Sequence, residues 1–257
     1  VLLIAFKLLI TPVMIAAATL AGRRWGSAAS GLMIGLPLTS GPISFILAYQ
    51  HGAGFAAQAA AGGIAGQISI CCFCLTYVLA TRKFDWPLCV GLAIGAFLVS
   101  TCALNSWGVL RFFPAFFALL GTIALVLALI PQRRIDAAAA QPPRWDLPAR
   151  MLAATSFVVV LTTLSDALGP QLSGLFSPFP IFGIVFAAFT HAQQGAAVAA
   201  NLLRAMVVSS LGYASFFLVV GTLLTRVGIG WTYLLAAFAA AAASASVYLI
   251  AHRRREA

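Results

Sequence analysis

The sequence predicts an all-α polytopic membrane protein of about nine transmembrane helices, arranged as two inverted-topology repeats with broken helices 2 and 7. Three observations carry that reading. Of 257 residues, 62% are hydrophobic and 8% charged, where a soluble domain averages about 45–50% apolar and 25% charged. Apolar runs of about 20 residues, the length of a bilayer span, follow one another along the chain. A run broken by two prolines returns in altered form 143 positions later. This much apolar surface exceeds what one soluble core can bury, so lipid must serve as solvent.

Span 1 covers 2–22 and closes on Arg23-Arg24-Trp25. Lys7 interrupts its apolar core and the run has a partner in the second half, so it is expected to be a retained helix and not a cleaved signal peptide. Span 2, 28–49, holds the proline-broken stretch Gly31-Leu32-Met33-Ile34-Gly35-Leu36-Pro37-Leu38-Thr39-Ser40-Gly41-Pro42-Ile43-Ser44. Span 3, 53–81, ends at Arg82-Lys83, and spans 4 and 5 cover 86–106 and 111–131. The one polar segment lies between Pro131 and Pro148 and carries Arg133, Arg134, Asp136, Arg144 and Asp146 around Pro142-Pro143. It reads as a linker. Spans 6 to 9 cover 149–166, 173–192, 195–225 and 229–251, and the tail is His252-Arg253-Arg254-Arg255. The organisation is thus a first repeat over 1–131, a cytoplasmic linker over 132–148, and a second repeat with its basic tail over 149–257.

The net charge of +10 excludes no class by itself. Its distribution argues against nucleic acid, because the basic residues sit at the ends of apolar runs and form no continuous patch. With nine spans, Arg23, Arg24, Arg82, Lys83, Arg133, Arg134, Arg144, Arg150 and Arg253 to Arg255 collect on one side. Arg111 and Arg226 fall on the other. The positive-inside rule makes the first side cytoplasmic, with the N-terminus outside and the C-terminus inside a bacterial inner membrane.

Shifted by 143 positions, residues 30–57 align with 173–200 without a gap and share nine identities in 28 positions, among them Ser30-Gly31-Leu32, Pro37, Gln50 and Gly52. Spans 1, 2, 3 and 4 then pair with 6, 7, 8 and 9, and span 5 has no partner. A five-span unit makes the second half start from the opposite side, which inverts it. The second broken stretch is Gly174-Leu175-Phe176-Ser177-Pro178-Phe179-Pro180-Ile181-Phe182-Gly183. Proline removes a backbone donor and frees the carbonyl four residues earlier. Pro37 is expected to free Met33, and Pro42 to free Leu38, with Pro178 and Pro180 breaking the second copy.

Substrate sites in inverted-repeat transporters lie at such breaks near the midplane. The expected solute site is therefore Thr39, Ser40, Gly41 and Ser44, facing Phe182 and Gly183. Arg204 lies well inside span 8 with Asn201 on the same face. An intramembrane cation costs at least about 2.5–3.5 kcal/mol, so Arg204 either binds an anionic solute or reaches the headgroups. Gln50 and His51, and His191 and Gln193, end the two broken spans; they are a gate or coupling site, or plain interfacial polar residues. Gln58 and Gln67 read as buried amides bonding between helices. Gly31-x-x-x-Gly35, Gly62-x-x-x-Gly66 and Gly91-x-x-x-Gly95 read as packing faces. The five cysteines, Cys71, Cys72, Cys74, Cys89 and Cys102, sit in apolar runs as small hydrophobes. No metal, cofactor or enzymatic activity is expected: Asp85, Asp136, Asp146, Asp166 and Glu256 leave no carboxylate at mid-membrane.

This layout resembles the bacterial inverted-repeat secondary transporters of five-plus-five type with crossed broken helices, such as sodium/proton antiporters and bile-acid symporters. It departs from them in breaking the second helix of each repeat where they break the fourth, and in lacking the antiporters' paired aspartates. Leu36-Pro37-Leu38-Thr39-Ser40-Gly41-Pro42 is also similar to the Leu-Pro box of urea channels, and Pro42 to Gln50 with Thr190-His191-Ala192 to LrgB-type membrane proteins. The resemblance implies a small-solute transporter working by alternating access, and Arg204 favours an anionic solute. The alternatives are a passive urea-channel-like pore and a non-transporting scaffold or assembly factor. The expected partners are the lipid bilayer, a small-molecule solute and a second copy in a homo-oligomer.

Overall fold

The computed structural model describes residues 2–37, 40–106, 112–130, 145–168 and 179–256, together with 132 and 143. Among them every regular element is helical: α1 (Leu2–Trp25), α2 (Ser27–Gly35), α3 (Ser40–His51), α4 (Ala53–Ala80), α5 (Trp86–Ser106), α6 (Phe112–Leu129), α7 (Asp146–Leu168), α8 (Ile181–Gln194), α9 (Ala196–Val227) and α10 (Ile229–Glu256). Among the described residues six segments are long and apolar enough to cross a membrane: Ala29–His51, Ala53–Ala80, Trp86–Ser106, Phe112–Leu129, Ala196–Val227 and Ile229–Ser246. Their outward faces are greasy. Leu92 on α5, Phe117 and Leu125 on α6, and Leu234 and Phe238 on α10 are all exposed, a surface suited to acyl chains and costly in water.

At α9 the packing converges. It runs 32 residues, about 48 Å at 1.5 Å per residue, and lies against α2, α4, α6, α8 and α10. A hydrocarbon core of about 30 Å cannot contain that length upright, so α9 must tilt or project. Two glycines let α2 approach it closely. A Cβ on Gly31 would meet the Leu202 carbonyl, and one on Gly35 would meet Ser209 Oγ. The Gly31-x-x-x-Gly35 face is thus a true helix contact. The other two motifs behave differently: Gly91 and Gly95 are exposed with open space where a Cβ would stand, and in the remaining motif Gly62 is exposed likewise while Gly66 is buried.

Single glycines make the corners between consecutive helices. Gly52 joins α3 to α4 at φ 89°, and Gly195 joins α8 to α9 at φ 90°. With ψ of 161° and 169°, both occupy a region that is essentially glycine-only.

Two expectations are corrected here. Gln58 is exposed on α4 and not a buried amide, whereas Gln67 is 2% exposed and donates to Ser210 Oγ of α9 at 2.7 Å. The sixth helix starts at Asp146, inside the expected linker, with Pro148 in its first turn. A proline there sacrifices no helical hydrogen bond, since the first N–H groups of a helix lack acceptors anyway. Most of the 132–148 linker lies outside the described residues, as does 169–178, where the second break is expected.

Candidate functional site

The expected break in the second span is present. α2 stops at Gly35 and α3 starts at Ser40. Leu36 is extended and donates to Met33 O at 3.3 Å. Met33 O is therefore satisfied, contrary to the expectation that Pro37 frees it: the helix ends before the proline, so the chain turns and closes on that carbonyl. Gly41 N–H then bonds Pro37 O at 2.8 Å and starts α3. Pro42 lies in the first turn of α3 and breaks nothing, for the same reason as Pro148. Pro180 is likewise the residue preceding α8. Thr39 and Pro178 lie outside the described residues.

The polar residues after the break meet tyrosines. Ser44 is buried, and its Oγ lies 2.7 Å from the Tyr233 hydroxyl of α10. The Tyr213 hydroxyl of α9 meets the Ser40 side chain. Gly41 faces Phe216: a Cβ on it would stand 3.1 Å from the ring. Between α3, α9 and α10 a cleft of about 490 Å³ opens at the break, its walls including Pro37, Gly41, Phe45, Phe216, Tyr233 and Ala240. Among the described residues no charged side chain lines it. Phe182 and Gly183 stand elsewhere, on α8. Gly183 approaches Met206 and Phe73, while α8 packs on α5, α7 and α9, and α3 on α4 and α10. The two halves of the expected site therefore sit on different sides of α9.

Arg204 is half-buried and donates through one terminal nitrogen to the Leu127 carbonyl at 2.7 Å and to the Ile130 carbonyl. Those carbonyls end α6, where no backbone donors remain and the helix dipole is negative. The guanidinium caps that helix. Asn201, one turn earlier on α9, is half-buried and bonded.

A second polar cluster surrounds the start of α7. Asp146 is 0% and Arg150 3% exposed. Arg150 Nε donates to Asp146 Oδ1 at 2.7 Å, and Arg23 of α1 reaches Oδ2 at 3.3 Å. Arg150 also lies 3.5 Å from Thr190 Oγ1 and stacks its guanidinium 5.1 and 5.3 Å from the ring centres of Phe186 and Phe189 on α8. At the next residue of α8, His191 Nδ1 is 3.3 Å from the Tyr77 hydroxyl of α4. Gln193 Oε1 is buried without a hydrogen-bond partner among the described residues. Gln50 and His51 are exposed, and the His51 ring rests 5.0 Å from Phe55.

Sequence reasoning missed Tyr213, Tyr233 and the Asp146–Arg150 pair. Each left a signal. A tyrosine within an apolar run brings a hydroxyl that must find a partner in lipid, and Asp146 and Arg150 stand at the i,i+4 spacing of a helical ion pair. No family model, curated protein or solved structure matches the chain.

Proposed function

We propose that the chain is a nine-span inner-membrane transporter, built of two inverted repeats, that moves a small solute by alternating access around the α2–α3 break. The observation that carries this reading is the Gln67–Ser210 hydrogen bond. It joins residues separated by 143 positions, the interval at which the sequence repeats. Under a two-fold axis a residue contacts its own counterpart only where the axis passes, so this bond is what a pseudo-two-fold between α4 and α9 demands.

Helix boundaries support the same axis. At this interval the α3 end at His51 corresponds to the α8 end at Gln194. The starts of α4 and α9, and of α5 and α10, correspond likewise. Gly52 and Gly195 correspond and share one rare conformation. Exchanging the halves turns the α4–α5, α3–α4 and α3–α10 contacts into α9–α10, α8–α9 and α8–α5, all of which occur. Five spans in the first half make the repeat inverted, and the arginine distribution sets the N-terminus outside.

The two clefts beside α9 differ in filling. The counterpart of the open cleft is occupied by Phe97 and Phe179, whose rings meet edge to face at 5.6 Å. Arg204, the reason to expect an anionic solute, is engaged in capping α6, so the walls of the break decide what is carried. The test is counterflow in proteoliposomes against a panel of radiolabelled metabolites. Saturable exchange accelerated by solute on the far side is expected. Linear, unsaturable flux would mean a passive pore, and no flux across the panel a scaffold.

A further inference from the structure

We infer that the cleft at the α2–α3 break binds an uncharged amphiphile, its apolar body between α3 and α10 and its single polar group on the Ser44–Tyr233 hydroxyl pair. The inference rests on reading the break as the solute site, and it names the class of solute.

The cleft is a property of particular side chains and not of the helix geometry. Each wall residue has a counterpart 143 positions away on helices that pack in the exchanged way. Where the open cleft has Ala240, the other has Phe97; where it has Leu36, Phe179; where it has Gly41, Ile184; and where it has Ala237, Ile94. Phe97 and Ile184 are 0% and 4% exposed and fill their side. Corresponding helices thus carry larger side chains at these positions on one side and leave about 490 Å³ on the other, within the range of small-molecule pockets.

The wall chemistry selects the occupant. With no charged lining residue, an ionic solute would lose its hydration and gain no counter-charge. Among the described lining residues Tyr233 alone carries a polar side-chain group, and its hydroxyl lies 2.7 Å from Ser44 Oγ behind it. Whichever hydroxyl donates to the other, the acceptor keeps its own proton, and both oxygens keep lone pairs. The pair can serve one alcohol, carbonyl or amide group. Pro42, Phe45 and Ala241 are exposed at the mouth, so an apolar molecule dissolved in the bilayer can enter sideways.

The test uses the full chain in detergent micelles with two diazirine-bearing photoprobes, an octanol and the matching octanoate, and maps adducts by peptide mass spectrometry. Saturable labelling by the alcohol at Phe45, Phe216 and Tyr233, competed by unlabelled octanol, is expected. Ala237→Ile, which copies Ile94, and Ala240→Phe, which copies Phe97, should each lower that labelling about tenfold, a 1.4 kcal/mol effect. Ala237 is exposed, so its variant keeps the test valid if Ala240→Phe fails to fold. Tyr233→Phe keeps the shape and should weaken labelling about three- to tenfold, as loss of one hydrogen bond does. Labelling that rises linearly and spreads over Leu92 and Phe117 would reduce the cleft to ordinary lipid contact and overturn the inference. Equal labelling by octanoate would overturn the uncharged class. Photolabelling reads binding without transport. Labelling without counterflow removes alternating access and leaves the site; counterflow without labelling removes this ligand class and leaves the transporter.

Discussion

Asp146 illustrates how burial changes the role of a residue that would be unremarkable in a loop. It holds two arginines at once, Arg150 at 2.7 Å and Arg23 at 3.3 Å. Removing one partner of a buried pair strands the other, at a cost of about 3–5 kcal/mol, whereas replacing both with apolar groups is often neutral. Asp146→Ala should therefore destabilise the protein strongly in SDS or thermal unfolding, and Asp146→Leu combined with Arg150→Met should recover most of the loss. Equal damage from the double variant would mean that Arg150 matters through Thr190, Phe186 and Phe189 and not through the ion pair. At the break, a Ser44→Ala and Tyr233→Phe double-mutant cycle should give a coupling of about 0.6 kcal/mol, the average for hydrogen bonds between membrane helices. A coupling of zero would show that the two hydroxyls do not stabilise each other.

Among the elements, the glycine corners and the α2–α9 contact allow the sharpest tests. Alanine at Gly52 or Gly195 must adopt a positive φ at a cost of about 1–3 kcal/mol, so each should lower the melting temperature although neither crowds a neighbour. Gly54→Ala is the control: it lies inside α4 with open space around it and should be neutral or stabilising by up to about 1 kcal/mol. If Gly52→Ala and Gly54→Ala behave alike, the corner conformation is wrong. Gly35→Ala is a different experiment. Its new methyl would meet Ser209 Oγ, so α2 must shift off α9. Unfolding should become easier, and Ser209→Gly should partly rescue it. The short helices follow the same physics. α2 and α3 total 21 residues, about one membrane crossing, and their gap survives in lipid because Leu36 N–H and Pro37 O are both bonded.

For the whole molecule, the two clefts beside α9 make alternating access measurable. Cysteines at Phe45 and Ala237 sample the open cleft, and cysteines at Ala188 and Ile94 its counterpart. With the native cysteines replaced, a short cross-linker should bridge the counterpart pair readily and the open pair poorly, and a bound octanol should change that ratio. A ratio fixed under every condition would sink the carrier reading and favour a static channel or scaffold. Topology is checked separately. Cysteine at Lys83 should react with a membrane-impermeant maleimide only from the cytoplasmic side, and cysteine at Arg226 only from outside.

The helical class and six membrane-length apolar segments were legible in the sequence, because a bilayer imposes a length of apolar residues on each crossing and charges mark the ends. The expected spans 86–106 and 229–251 begin where α5 and α10 begin. The break was legible too, since Pro37 cannot continue a helix whose donors must be satisfied inside it. What the sequence by itself determined was thus local: where the chain is helical and where the second span stops. Only the tertiary structure decided which polar group meets which. Whether Ser44 faces water, solute or Tyr233, and whether Arg204 binds an anion or the last carbonyls of α6, depends on how helices far apart in the chain pack. Residues 189 positions apart in one case and 77 in the other are brought together. Lipid penalises a buried donor that lacks an acceptor, but it does not say which acceptor is used; the packing of α9 against its neighbours does.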